Sequence, residues 1–304
     1  MDSVPLVFSE RVAAFWKCCD NPYYGGRHTH RRIPDCEWTR ISRKRRIEFY
    51  VVMENGKWTY GFGDPKEMDA DRFLAMDELK NSPGLKNVVI REICVYDKWL
   101  NPDTVAKLRP LDVDIEVLMK FVLFLSNEPF LRVHSLWHTF PETFASPEES
   151  TLLNFLQEMH FSHVYFHHYN ANYNRLLERQ YSRRKATRIH VTSIESGKEF
   201  LEAELAAVRM KKCKISESLS PYVVDAIVAR FLEDPNQFGE DYEIYCYFTI
   251  DETAKIFCEM REKTRFVREY ANEKTGKTEF AVEGANRKVL TINSQFGLTL
   301  TMSA

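Results

Sequence analysis

The sequence predicts an α/β chain in which short strands alternate with amphipathic helices, and three observations carry that expectation. Strand-like segments spaced apolar-x-x-apolar-x-apolar recur at Leu85/Val88/Ile90, Phe161/Val164/Phe166, Ala186/Ile189/Val191 and Leu205/Val208/Met210, with a weaker version at Phe130/Val133/Ser135. Helix-start signals follow the strands, and an Asn-Gly pair joins two β-rich runs nearer the N-terminus. One such unit has an apolar strand face and an apolar helix stripe and cannot bury both alone. Stacked neighbours bury them by joining their strands into a parallel sheet backed by helices. The expected fold class is therefore an irregular leucine-rich-repeat-like strand–helix solenoid with an N-terminal β-hairpin segment. A compact α/β sandwich is the alternative.

Taken in order, residues 1–45 form a helix and loop segment: a short amphipathic helix over 9–19, then "NPYYGGRHTHRRIPDCEW", rich in Gly, Pro and Asn. Residues 46–84 form the hairpin segment, in which Asn55-Gly56 between "IEFYVVME" and "KWTYGFG" supplies the positive φ angles of a type I′ turn. Residues 85–304 form the strand–helix repeat region. In it "SPEES" places Ser146 as N-cap and Pro147 at the first helical position, with Leu152, Phe155, Leu156 and Met159 on one face. "SGKE" at 196–199 and "TIDE" at 249–252 read as capping boxes, and Ser220-Pro221 starts a helix carrying Val223, Val224, Ile227, Val228 and Phe231. "YEIYCYF" at 242–248 alternates as a strand, and four strand-like runs after Lys263 read as a C-terminal β cap.

Composition excludes several classes. With 44% hydrophobic and 28% charged residues over 304 positions, the chain reads as globular. Its best apolar run, "VLMKFVLFL" at 117–125, is too short for a membrane span and is interrupted by Lys120, so no membrane partner is expected. The start "MDSVPLVFSERVAAFW" lacks the pattern of a signal peptide, and seven irregularly spaced cysteines do not suggest a disulfide framework. An intracellular location, cytoplasmic or nuclear, is the expectation. A net charge of −2 offers no general field for nucleic acid. The dense basic run "RISRKRR" at 40–46 reads as a solvated approach to a strand rather than a localisation signal.

The candidate surface follows from the apolar frame. If Val164 and Phe166 point toward helices, alternation places His163, Tyr165 and His167 on the opposite face. The matching positions in neighbouring strands are Arg132 and His134, then Arg188, His190 and Thr192, then Ala207, Arg209 and Lys211. A face carrying Arg132, His134, His163, Tyr165, His167, Arg188, His190, Arg209 and Lys211 suits an acidic or aromatic-containing partner, and a solvated sheet face whose polar residues merely alternate with core ones is the alternative. Two zinc readings compete: His134, His163 and His190 converging from adjacent strands, and Cys18, Cys19, His28, His30 and Cys36 in the N-terminal loop. The second does not match a common ligand spacing, and no metal or cofactor is expected. No phosphate loop, His-Glu-x-x-His helix or Gly-x-Ser-x-Gly elbow is present, and Asp112 and Asp114 read as helix-start acids. The protein is expected not to be an enzyme. A hydrolase or transferase with a site assembled from scattered residues is the alternative.

The segments "MDSVPLVF", "GKWTYGF" and "SPYVVDAIVARFLEDPNQF" resemble a nematode-expanded family of F-box-like proteins with degenerate leucine-rich-like repeats. The resemblance implies a substrate receptor of a cullin-type ubiquitin ligase. Its N-terminal segment, here 1–45 as a degenerate F-box, would dock on the Skp adaptor while the repeat face captures a client. Val4, Pro5, Leu6, Phe8, Val12 and Phe15 would carry that docking, and packing on the hairpin is their alternative use.

Overall fold

The computed structural model describes residues 45–54, 56–63, 73–97, 105–126, 132–135, 147–183, 188–239, 242–263, 268–272, 277–283, 289–294 and 298–303. The helix expected at 9–19, the cysteine–histidine loop and the proposed adaptor-docking residues lie outside them. The chain divides into two compact units, Met1–Leu136 with Ser146–Ser162, and Trp137–Ala145 with His163–Ala304. Each is a mixed α/β unit, and among the described residues its strands do not close into a barrel.

In the first unit, β1 (Arg45–Glu54) and β2 (Lys57–Gly63) form the expected hairpin, with Glu54 opposite Lys57 and Gly56 at φ 75°. β3 (Val88–Asp97) and β5 (Arg132–Ser135) run parallel to this core, and β4 (Arg109–Pro110) edges it, in the order β5-β3-β1-β2-β4. Ile47, Phe49, Val51, Tyr60, Phe62, Ile93 and Val95 are all buried. The ring of Phe62 lies 5.8 Å from that of Phe121 on α2 (Ile115–Leu125), which docks that helix on the sheet. Asp114 caps α2 by accepting from the Glu116 N–H at 2.7 Å, the role its position suggested. α2 packs on α3 (Pro147–Glu158), which buries Leu152, Leu153 and Leu156. The earlier α1 (Met76–Lys80) buries Met76 and Leu79. On the other face of the hairpin a Cβ at Gly61 would stand 2.5 Å from Phe73 Cβ, so glycine lets Phe73 lie across the strand.

In the second unit, β6 (His163–Tyr169), β7 (Arg188–Ile194), β8 (Lys212–Ser218) and β9 (Glu243–Tyr247) pair in parallel and in sequence order. Between them lie α4 (Asn174–Arg183), α5 (Lys198–Ala206) and α6 (Tyr222–Glu233), each the crossover that a parallel pair requires. α7 (Ile250–Lys263) then leads into β10 (Arg268–Asn272), β11 (Lys277–Glu283), β12 (Val289–Ser294) and β13 (Leu298–Ser303). These four strands form an antiparallel meander that joins the sheet through β13 on β9. Val164, Phe166, Ile189, Val191, Cys213, Ile215, Ile244, Cys246, Leu298 and Leu300 make the buried face. The five apolar positions expected on α6 are all buried, and the "TIDE" box forms as predicted: Thr249 N–H donates to the Glu252 carboxylate at 2.8 Å.

Two expectations are corrected. "SGKE" does not cap α5: the N-cap is Gly197 at φ 79° with no side-chain bond, and Ser196 Oγ instead accepts the Ala171 N–H at 3.1 Å. The Leu205/Val208/Met210 frame is not a strand. Leu205 lies in α5, Val208 sits at φ 57°, and the strand begins only at Lys212. Val208 N–H donates to Leu205 O at 2.8 Å and Arg209 N–H to Glu204 O at 3.1 Å, the two bonds of a Schellman helix end. A β-branched residue at a position usually given to Gly costs about 1–2 kcal/mol, which the burial of the Val208 side chain offsets. A last helical turn plus its αL exit reproduces the apolar spacing of a strand, which is why the sequence misplaces this one.

Candidate binding face

β6 shows how the face is made. Val164, Phe166 and Tyr169 are buried while His163, Tyr165 and His167 are half-buried on the opposite side, so three histidines and four aromatics in "FSHVYFHHYN" divide between core and surface. Parallel pairing in register then sets neighbours: His163 beside Arg188, Tyr165 beside His190, His190 beside Lys214, and Lys214 beside Tyr245. The result is one row across four strands, Tyr165–His190–Lys214–Tyr245, continued by Thr299 on β13 and Asn293 on β12.

Members of the row hold one another. The Tyr165 ring meets the His190 ring edge-on, with centroids 4.5 Å apart and planes at 88°. The Tyr165 hydroxyl is 3.1 Å from Thr192 Oγ1, and Ser216 Oγ lies 3.5 Å from His190 Nε2. Lys214 Nζ sits 5.5 Å from the centre of the Tyr245 ring, within cation–π range. Burial raises the Tyr245 pKa, so its phenol stays neutral. At the end of β6, His168 Nδ1 approaches Glu195 at 3.5 Å, and Glu217 accepts the Ile194 N–H.

Of the residues expected on the face, His163, Tyr165, His167, Arg188 and His190 are brought together on β6 and β7. Arg132 and His134 belong to β5 of the first unit, in register with Glu92 and Cys94. Arg209 and Lys211 precede β8, which begins at Lys212. Arg209 Nη1 contacts Glu204 Oε1 at 2.8 Å at the α5 exit, and Lys211 Nζ donates to Gln237 O at 2.9 Å. Lys212, Lys214, Ser216, Tyr245 and Tyr247 take their place, residues the sequence reading missed. The alternation "KCKIS", with Cys213 and Ile215 buried, was the signal that could have found them. His163 pairs with Arg188 and not with His190, so the two histidines stand diagonally. Among the described residues no group of three or more His, Cys, Asp or Glu could hold a metal ion.

A second polar cluster lies in the first unit, where Tyr50 donates to Glu48 and packs with Cys94, Leu108, Phe73 and Tyr96. Burial pushes the Cys94 thiol and the Tyr50 and Tyr96 phenols up, so all three stay protonated and none is a ready nucleophile. In the second unit burial pushes the Cys246 thiol up to about 12, with the same consequence.

Compared with family models, curated proteins and solved structures, the chain matches none. No helix among the described residues is long and apolar enough to cross a membrane.

Proposed function

We propose that the protein is a non-catalytic protein-binding module that works through the polar face of β6–β9. The observation that carries this reading is the row Tyr165–His190–Lys214–Tyr245, whose rings and cation are held by one another before any partner arrives. Side chains already fixed lose little conformational freedom on binding, which is what a recognition surface needs. In this reading the four parallel strand–helix units act as a short leucine-rich-repeat-like solenoid inside the cell. The N-terminal segment links it to the Skp adaptor, making the protein a substrate receptor of a cullin-type ubiquitin ligase.

The test is affinity purification with mass spectrometry, comparing the full chain, a version lacking residues 1–20, and Tyr165→Ala/His190→Ala. The adaptor should be recovered only with residues 1–20 present, and specific partners should be lost in the double variant while its melting temperature holds. Partners that persist undiminished in the double variant would overturn the face as the binding site. Absence of the adaptor from every sample would remove the ligase link.

A further inference from the structure

The face has a chemistry of its own that differs from the chain around it. Across β6–β9 it presents Arg188, Lys212 and Lys214 with His163, His167 and His190, against the carboxylate of Glu243, on a chain whose net charge is −2. Glu243 stands in register beside Lys212, at the edge of the group. Glu217 is directed to the Ile194 N–H instead. Lys214, in the middle of the central row, is exposed and among the described residues is paired with no carboxylate. The next two strands, β13 and β12, add Thr299, Thr301, Thr291 and Asn293, which carry no charge.

We propose that the occupant of this face is an acidic peptide segment, laid across the strands with Lys214 as its central contact and Tyr165, Tyr245 and Tyr247 as flanking rings. The inference rests on the protein-binding reading above and names the partner's chemistry. Charge complementarity selects the sign, because an anionic side chain set over Lys214 meets an ammonium already placed above the Tyr245 ring. Spacing selects an extended segment. Tyr165 and Tyr245 are three strand separations apart, roughly 14 Å, the length of about four residues of extended chain. Tyr247, 43% exposed on the same face of β9, offers aromatic surface beside that path.

The test is fluorescence anisotropy with the full chain and three labelled probes: a Glu-Ser repeat peptide, a Lys-Ser repeat peptide of equal length, and oligouridylate. The variants are Lys214→Glu, Tyr247→Ala, and Lys255→Glu on α7 as a net-charge control. The acidic peptide should bind and the basic one should not. Affinity should fall about ten-fold or more in Lys214→Glu, and less in Tyr247→Ala. Lys255→Glu should leave it unchanged, and all variants should keep the parent melting temperature. Equal losses in Lys214→Glu and Lys255→Glu would reduce the effect to diffuse charge and overturn the proposal. Tighter, Lys214-dependent binding of oligouridylate would overturn it in favour of a nucleic-acid occupant. Failure of the acidic peptide, together with protein partners lost in Tyr165→Ala/His190→Ala, would overturn the acidic occupant while leaving the protein-binding reading intact.

Discussion

Arg209→Ala is expected to destabilise the second unit, although Arg209 looks from sequence like a surface cation available to a partner. Its guanidinium lies 2.8 Å from Glu204, whose side chain is only 8% exposed, and the other carboxylate oxygen accepts from Tyr181. Burial, with the Glu204 carboxylate beside it, raises the Tyr181 pKa, so the phenol remains a donor. Removing Arg209 leaves a buried carboxylate with one hydroxyl to satisfy it. Breaking a buried pair in this way typically costs 3–5 kcal/mol, and because Arg209 itself is 59% exposed the expected loss is nearer 2 kcal/mol. The Schellman bonds at the same turn remain, since they are backbone bonds. Urea unfolding of wild type, Arg209→Ala, Glu204→Gln and the double variant forms a double-mutant cycle. A coupling energy of about 1 kcal/mol or more is expected, with the double variant losing less than the sum of the singles. A stability of Arg209→Ala within about 0.5 kcal/mol of wild type, or additivity in the cycle, would refute this account of the α5 exit. The same variant should leave peptide binding to the sheet face unaltered, in contrast to Lys214→Glu.

Two further outcomes are expected. Tyr242 is 2% exposed and its hydroxyl has no hydrogen-bond partner among the described residues. Tyr242→Phe should therefore leave stability unchanged or raise it by up to about 1 kcal/mol, and a loss beyond about 1 kcal/mol in urea unfolding would reveal a partner for that oxygen. Glu252 is held below its ordinary carboxylate value of 4.5 chiefly by the Thr249 N–H and hydroxyl, so its capping contribution is present above that pH and fades as pH falls through the depressed value. Glu252→Gln should lower the melting temperature at neutral pH by an amount corresponding to about 0.5–1 kcal/mol. That difference should shrink at an acid pH below the depressed value, where the native residue is uncharged too. A gap of equal size at both pH values would mean that the carboxylate charge contributes nothing there.

The candidate face was legible where alternation was clean. On β6 and β7 the apolar frame predicts which side chains share a surface, because a period of two leaves no freedom once Val164, Phe166, Ile189 and Val191 are buried. It was illegible at the third strand. A helix end and a strand can carry the same local pattern, and the ambiguity around Val208 is resolved only by the backbone bonds of the α5 exit. A slip of that kind exchanges one set of basic residues for another, Arg209 and Lys211 for Lys212 and Lys214.

By itself the sequence determined what local chemistry decides. The Asn55-Gly56 hairpin, the Thr249–Glu252 capping box, the buried stripe of α6 and the alternation of β6 rest on turn preferences, orphan amides and side-chain periodicity within a few residues. The tertiary structure decided what depends on partners far apart in the chain. It set the register that places Tyr165 beside His190 and Lys214 beside Tyr245, the return of β13 onto β9, and the withdrawal of Arg209 into an ion pair with Glu204. Register and ion pairing are relations between segments, fixed when whole apolar faces are buried together, and no window of residues contains them.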